Sequence, residues 1–163
     1  MVVILMGVTG SGKTTVGKLL ASDLGWGYFD ADDFHPPANV EKMKIGVPLN
    51  DADRTPWLET LRNLIRSCLD QGENAVLACS ALKESYRGFL LIDEGVRLIY
   101  LKGDYGLIQE RLSKRLGHYM NPKLLDSQFD TLEEPGGDVG IDVSLSPDEI
   151  VNIIKGQLGL FAN

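Results

Sequence analysis

Eight residues near the start constrain this chain more than any others. Gly7-Val8-Thr9-Gly10-Ser11-Gly12-Lys13-Thr14 fits the pattern G-x-x-x-x-G-K-[ST] and directly follows the apolar run Val2 to Met6. The run reads as a short buried parallel strand. Val16, Leu19, Leu20 and Leu24 fall on one face of a helix expected from Lys13 to about Leu24, with Gly25 as its stop. Glycines between strand and helix let the backbone turn through positive φ and bring N–H groups against an anion with no Cβ in the way. The helix aims its positive end at the same point. Lys13 then reaches the β and γ phosphates of a nucleotide, and Thr14 offers a hydroxyl to Mg²⁺. Gly7, Val8, Thr9, Gly10, Ser11, Gly12, Lys13, Thr14 and Thr15 are the expected ATP-binding residues. The bland alternative is a glycine-rich turn that merely joins the two elements.

The rest of the chain alternates short apolar runs with helical patterns. Tyr28-Phe29 and Ala75 to Cys79 read as strands, as do Val96 to Leu101 and Val139 to Val143. The intervening helices are expected after Thr55-Pro56 as far as Gly72, over Lys83 to Leu91, and from the cap Asp104 to about Leu116. A last helix opens at the capping box Ser146-Pro147-Asp148-Glu149 and runs through Leu158. Phe34 to Arg54 reads as an irregular substrate loop with one short helix near Val40 to Lys44. The fold class this implies is α/β: a five-stranded parallel sheet with helices on both faces, three layers in all, in one domain spanning residues 1–163. The polar passage from Gly117 and His118 to Asp138 is the expected lid over the site.

Composition excludes several classes. The net charge is −7, from 16 basic and 23 acidic residues. No basic arm offsets it, so nucleic acid is not an expected partner. No stretch has the roughly 18 apolar residues of a membrane span. Cys68 and Cys79 form neither a disulfide framework nor a metal-ligand spacing, which points to a reducing compartment, the cytoplasm. Cys79, ending an apolar strand, is expected to be a buried inert thiol.

A GTP switch would show Asp-x-x-Gly after a strand and Asn-Lys-x-Asp for the base, and the sequence has neither. Motor-type ATPases usually place an acid at the end of the third strand, where this chain has Ser80. Its acids instead follow the second strand, as Asp30 and Asp32. Alternation along a strand points both carboxylates the same way. One, Asp30, can serve the metal's water shell; the other, Asp32, can accept the proton of an acceptor hydroxyl. That suits a small-molecule P-loop kinase. A solvated acidic turn is the alternative.

The stretch Asp30-Ala31-Asp32-Asp33-Phe34-His35-Pro36-Pro37-Ala38-Asn39-Val40-Glu41-Lys42-Met43 resembles the gluconate kinase family. So does Gly46-Val47-Pro48-Leu49-Asn50-Asp51-Ala52-Asp53-Arg54-Thr55-Pro56-Trp57-Leu58. Ala78-Cys79-Ser80-Ala81-Leu82-Lys83, Tyr86-Arg87, Gly117-His118-Tyr119-Met120 and Leu124-Leu125-Asp126-Ser127-Gln128-Phe129, with Leu132-Glu133 and Pro135, agree. This resemblance implies a fold related to shikimate and adenylate kinases and transfer of the ATP γ-phosphate to the 6-hydroxyl of D-gluconate. Shikimate kinases carry a triple glycine where this chain has Cys79-Ser80-Ala81, which argues against shikimate as acceptor.

A sugar-acid pocket needs cations for the carboxylate and neutral groups for the hydroxyls. His35, Arg54, Lys83 and Arg87, after strands two and three, are the candidates, joined by His118 and Gln128 from the lid. Each has a plainer role open to it. Arg54 could be capped by Asp51 or Asp53, Lys83 and Arg87 could lie on an exposed helix face, and Gln128 could solvate a lid helix. Arg111, Lys114 and Arg115 flank the lid and could reach the nucleotide, Arg111 as a binding residue and Arg115 as a catalytic finger on the transferring phosphate. Complementing a helix dipole is their alternative. Trp57 reads as packing. A kinase of another sugar acid or polyol, and a nucleotide-binding regulator without turnover, are the competing functions. Similar kinases are often homodimers, but no residue here marks an interface.

Overall fold

The computed structural model describes residues 1–115, 122–137 and 140–161. Five parallel strands form one sheet: β1 (Val2–Met6), β2 (Gly27–Asp30), β3 (Ala75–Ala78), β4 (Val96–Lys102) and β5 (Gly140–Asp142). Their order is β2-β3-β1-β4-β5, so β1 sits at the centre with every residue buried. A strand covered on both faces must be apolar throughout, which is why Val2 to Met6 shows no alternation. Side-chain alternation then divides the core. Val3 and Leu5 join Val76, Ile99 and Leu101 on one face, while Val2, Ile4 and Met6 join Leu77 and Tyr100 on the other.

Helices cover both faces as the alternating pattern requires. On the first lie α1 (Lys13–Leu24), α5 (Tyr105–Ser113) and α7 (Pro147–Leu158), contributing Val16, Leu20, Ile108, Leu112, Ile150 and Ile154. On the second lie α3 (Asp51–Asp70) and α4 (Glu84–Leu90), contributing Trp57, Leu61, Ile65 and Leu90. The capping box at Ser146 and Glu149 opens α7 as expected, and Gly25 ends α1 in the left-handed conformation.

Several boundaries differ from those expected. Helix α3 begins at Asp51, four residues before Thr55-Pro56. Asn50 and Asp53 close a reciprocal capping box, and Pro56 is accommodated inside the helix rather than at its first turn. Thr55 caps nothing; its hydroxyl bonds the Asp51 carbonyl at 3.0 Å. Helix α2 (Pro37–Lys44) opens on the proline pair, three residues ahead of Val40. Helix α5 ends at Ser113 rather than near Leu116, and strand β5 covers Gly140–Asp142, with Val139 of its expected range outside the described residues. Residues 116–121 and 138–139, including Leu116, Gly117 and His118, lie outside the described residues. Between them the expected lid carries a helix, α6 (Pro122–Thr131), whose Leu125 is buried in the first core. Among the described residues, no helix is long and apolar enough to cross a membrane.

Candidate active site

Parallel register brings the carboxyl ends of β1, β2 and β3 to one edge: Leu5 is level with Ala78, and Ala78 with Asp30. The phosphate loop and the acidic turn therefore open at the same mouth, with Ser80 between them accepting from the Gly7 N–H at 3.3 Å. Crevices at such strand ends are where sheets of this kind bind ligands.

The loop itself has the shape the motif requires. Gly12, the N-cap of α1, holds φ 97°, which strains any residue with a Cβ. A Cβ on Gly7 would lie 2.9 Å from the Leu101 carbonyl oxygen and 2.6 Å from Ser11 Oγ, so this position excludes side chains by contact. Lys13 Nζ donates to the carbonyls of Gly7 and Val8 at 2.8 and 2.9 Å. Burial pushes its pKa down to about 8, against the pull of Asp32, Cys79 and Asp30, while Arg115 adds to the lowering. Cys79 is itself buried, its thiol pushed up to about 12 by desolvation, and so is inert as expected.

After β2 the chain makes a single 3₁₀ turn, Ala31–Phe34, capped by Asp30, whose carboxylate accepts the Asp32 N–H at 2.9 Å. This leaves Asp32 at the mouth. Its carboxyl is raised above its ordinary value, first by desolvation within the concavity and then by Asp30, with Lys13 acting in the opposite sense. Because 82% of the side chain remains open to water, the shift makes Asp32 a better base and does not leave it a buried neutral acid.

His35 stacks on Trp57, with ring centroids 4.4 Å apart and planes inclined by 12°. Trp57 is a buried platform, as its helical position suggested; its indole N–H donates to the Ala31 carbonyl at 2.7 Å. Burial, assisted by Arg54, pushes His35 down to about 4, so the ring is neutral at physiological pH. Next to it, Arg54 donates to the Leu49 carbonyl at 2.7 Å and to the Tyr86 hydroxyl at 3.2 Å. The Tyr86 ring carries both the Arg54 guanidinium, at 5.5 Å, and Lys83 Nζ, at 5.6 Å. Lys83 and the Tyr86 hydroxyl both donate to Asp51 Oδ1, Lys83 at 3.0 Å. One cation and a phenol thus donate to one carboxylate, and Arg54 donates to the same phenol.

Arg87 is placed differently. It is only 6% exposed, and Nη1 donates to the Ala81 and Leu82 carbonyls at 2.9 and 3.0 Å. Those bonds hold the turn after β3, where Ala81 takes a positive φ of 43°. Arg87→Met is expected to lower stability by about 2–3 kcal/mol, since it strands two buried carbonyls bonded to a cation. Urea unfolding would register the loss, and an unchanged midpoint would refute the anchoring role.

A cleft of about 290 Å³ lies on the other side of the phosphate loop, lined by Gly10, Thr15, Arg111, Arg115, Val143 and Pro147 among others. Arg111 bonds the Val143 carbonyl, fixing the segment after β5 against α5. Lys114 pairs with Glu110 at 2.6 Å on an exposed face. From α6, Gln128 Oε1 accepts the Thr9 N–H at 2.6 Å, joining that helix to the phosphate loop. The strap after α6 reaches the turn after β3: Glu133 N–H donates to the Leu82 carbonyl at 2.9 Å, and its carboxylate accepts the Glu84 N–H at 3.2 Å.

The sequence assigns Asn39, Asp51, Tyr86, Val143 and Pro147 no role at this site beyond Asp51 as an alternative cap for Arg54. The first three lie in or beside stretches noted for other reasons, but a neutral amide, a helix-start acid and a tyrosine carry no signal of their own. Val143 and Pro147 line the cleft as apolar surface, which leaves no motif.

The shikimate kinase family model matches residues 9–131. The gluconokinase of Gluconobacter oxydans (strain 621H) is 48% identical, over 83% of this chain and 76% of its own. The thermosensitive gluconokinase of Escherichia coli (strain K12) is 44% identical, over 93% of this chain and 82% of its own. A solved structure of a gluconokinase from Sinorhizobium meliloti 1021 superposes with a TM-score of 0.87 at 39% identity, covering 96% of this chain and 90% of the other.

Proposed function

Since this chain belongs to the gluconokinase family, we propose that it transfers the γ-phosphate of ATP to the 6-hydroxyl of D-gluconate, giving 6-phosphogluconate and ADP. The observation that carries this reading is the opening of the Lys13 loop and the Asp32 turn at one sheet edge, beside a cluster that already holds a carboxylate. The amides of Gly7 to Thr15 cradle the phosphates, Arg111 and the Val143 wall receive the nucleoside, and Arg115 reaches the transferring group. Arg54, Lys83 and Tyr86, with His35 beside them, suit a substrate with one carboxylate and several hydroxyls. Gln128, on α6 of the expected lid, bonds the phosphate loop through the Thr9 N–H.

The donor set fits magnesium. The Thr14 hydroxyl and Asp30 carboxylate are hard oxygen donors, and this ion keeps several waters and takes few protein ligands alongside phosphate. Among the described residues, no three acids, histidines or cysteines form a protein-only cage. Magnesium bound with ATP supplies charge neutralisation at the β and γ oxygens.

The protein's own part is alignment and proton transfer. The acceptor oxygen bonds to the γ-phosphorus as the bond to the β–γ bridging oxygen breaks. ADP takes that electron pair, and the hydroxyl proton passes to Asp32. A coupled ADP assay across sugar acids and polyols is expected to show gluconate preferred. Preference for an acceptor without a carboxylate would overturn the assignment.

A further inference from the structure

We propose that Asn39 is a positioning residue that fixes the proton of His35 on Nε2, making that nitrogen a hydrogen-bond donor into the gap beside Asp32 where the acceptor hydroxyl sits. The identity of that hydroxyl rests on the function proposed above; the proton's place does not.

Asn39 is buried, 4% exposed, and its terminal amide makes both of its bonds through one atom. That atom lies 2.8 Å from the Asp53 carbonyl oxygen and 3.3 Å from His35 Nδ1. A carbonyl oxygen only accepts, so the atom against it is the amide nitrogen. The second amide hydrogen then faces Nδ1, which must present a lone pair, and the neutral ring carries its proton on Nε2. The surroundings hold this arrangement. Trp57 stacks beneath the ring, and Lys42 grips the Asp53 carboxylate at 2.8 and 2.9 Å, tying α2 to α3. The charged groups facing the imidazole are Asp32 and Arg54; the low pKa of the ring keeps it neutral between them.

Nε2 stands 4.0 Å from Asp32 Oδ1. That is too long for a direct bond, yet an oxygen placed between them can make two bonds of about 2.8 Å. Such a hydroxyl accepts from His35 and so must direct its own proton to Asp32. The opposite tautomer would offer a second acceptor, competing with Asp32 for that proton.

The chain has two histidines, so the test is direct. A long-range ¹H–¹⁵N spectrum of labelled protein at neutral pH, assigned by loss of signals in His35→Gln, is expected to show Nε2 protonated and Nδ1 bare. A ring protonated on Nδ1, or on both nitrogens, would overturn the proposal. Asn39→Asp replaces the donor with an acceptor, and should move the proton to Nδ1 and lower kcat about tenfold or more, with KM for ATP unchanged. Should that variant fail to fold, the wild-type tautomer decides alone. His35→Gln, whose amide nitrogen can stand in for Nε2, should retain more activity than His35→Asn, and equal activities would count against the donor role. An Nε2–H ring in a protein that phosphorylates no sugar acid would sustain the tautomer and sink the acceptor assignment instead.

Discussion

Asp32→Asn is expected to lower kcat by about 10²- to 10⁴-fold, the range lost with a general base, while ATP binding persists. The substitution keeps size and shape, so the gap to His35 stays open. What changes is the chemistry at the oxygen: an amide accepts the hydroxyl proton far less readily than a carboxylate, and its nitrogen can only donate. As the proposed base, Asp32 would have to be ionised, and its pKa is raised above 3.8 by desolvation and Asp30. In the parent protein kcat/KM should therefore rise with pH through that elevated value, and the variant should lose this acid limb. The same shift fixes the sign for stability. The extra proton affinity of folded Asp32 stabilises below about pH 3.8 and is lost as pH rises through the raised value, so ionised Asp32 opposes folding at neutral pH. The variant should then be no less stable than its parent there. Coupled ADP release, titration with a non-hydrolysable ATP analogue and thermal unfolding measure the three quantities. Undiminished kcat would remove Asp32 from the chemistry.

What the sequence could and could not disclose follows from the range of the forces involved. The phosphate loop is legible because its glycines, lysine and threonine are each needed within eight consecutive residues, and the strand and helix around it are local patterns. The five strands and their parallel pairing follow from alternation with helices, and the sheet has the expected form. Thr55-Pro56 is a strong local signal for the start of α3, yet the helix begins at Asp51. The reciprocal bonds of Asn50 and Asp53 outcompete it one turn earlier. Contacts across the chain were beyond reach. Nothing local says that Arg87 turns inward to hold Ala81 and Leu82 while Arg54 and Lys83 share the face of Tyr86, since all three are simply basic residues near apolar ones. Asn39 is the sharpest instance. Its meaning lies in the Asp53 carbonyl, 14 residues away in sequence, and in the ring nitrogen opposite it.

Lys13→Met should separate stability from function. Loss of the ammonium removes the one side-chain cation built into the phosphate loop, and kcat/KM is expected to fall by about 10²- to 10³-fold, as when a preorganised charge donor is lost. Yet the variant should be the more stable protein at pH 7. Lys13 has its pKa lowered from 10.5 to about 8 by burial, so its charged form is held at a cost. The favourable contribution of a depressed lysine is present above its unfolded pKa and lost as pH falls through the folded one. Below about pH 8 the full penalty applies, on the order of 1–3 kcal/mol, and methionine, of similar length and without charge, relieves it. The difference between the two proteins should shrink between pH 8 and 10.5 and vanish above. Binding reverses the sign. A triphosphate beside Nζ raises the lysine's pKa, so ATP affinity should be full below pH 8 and weaken as pH climbs past it, a dependence Lys13→Met should lack. Urea unfolding at pH 7 and 10.5, with calorimetric titration of ATP across the same range, tests both halves. A methionine variant that is less stable at pH 7 would show that the ammonium's bonds to Gly7 and Val8 outweigh its desolvation, and that the loop is held together by the residue that serves it.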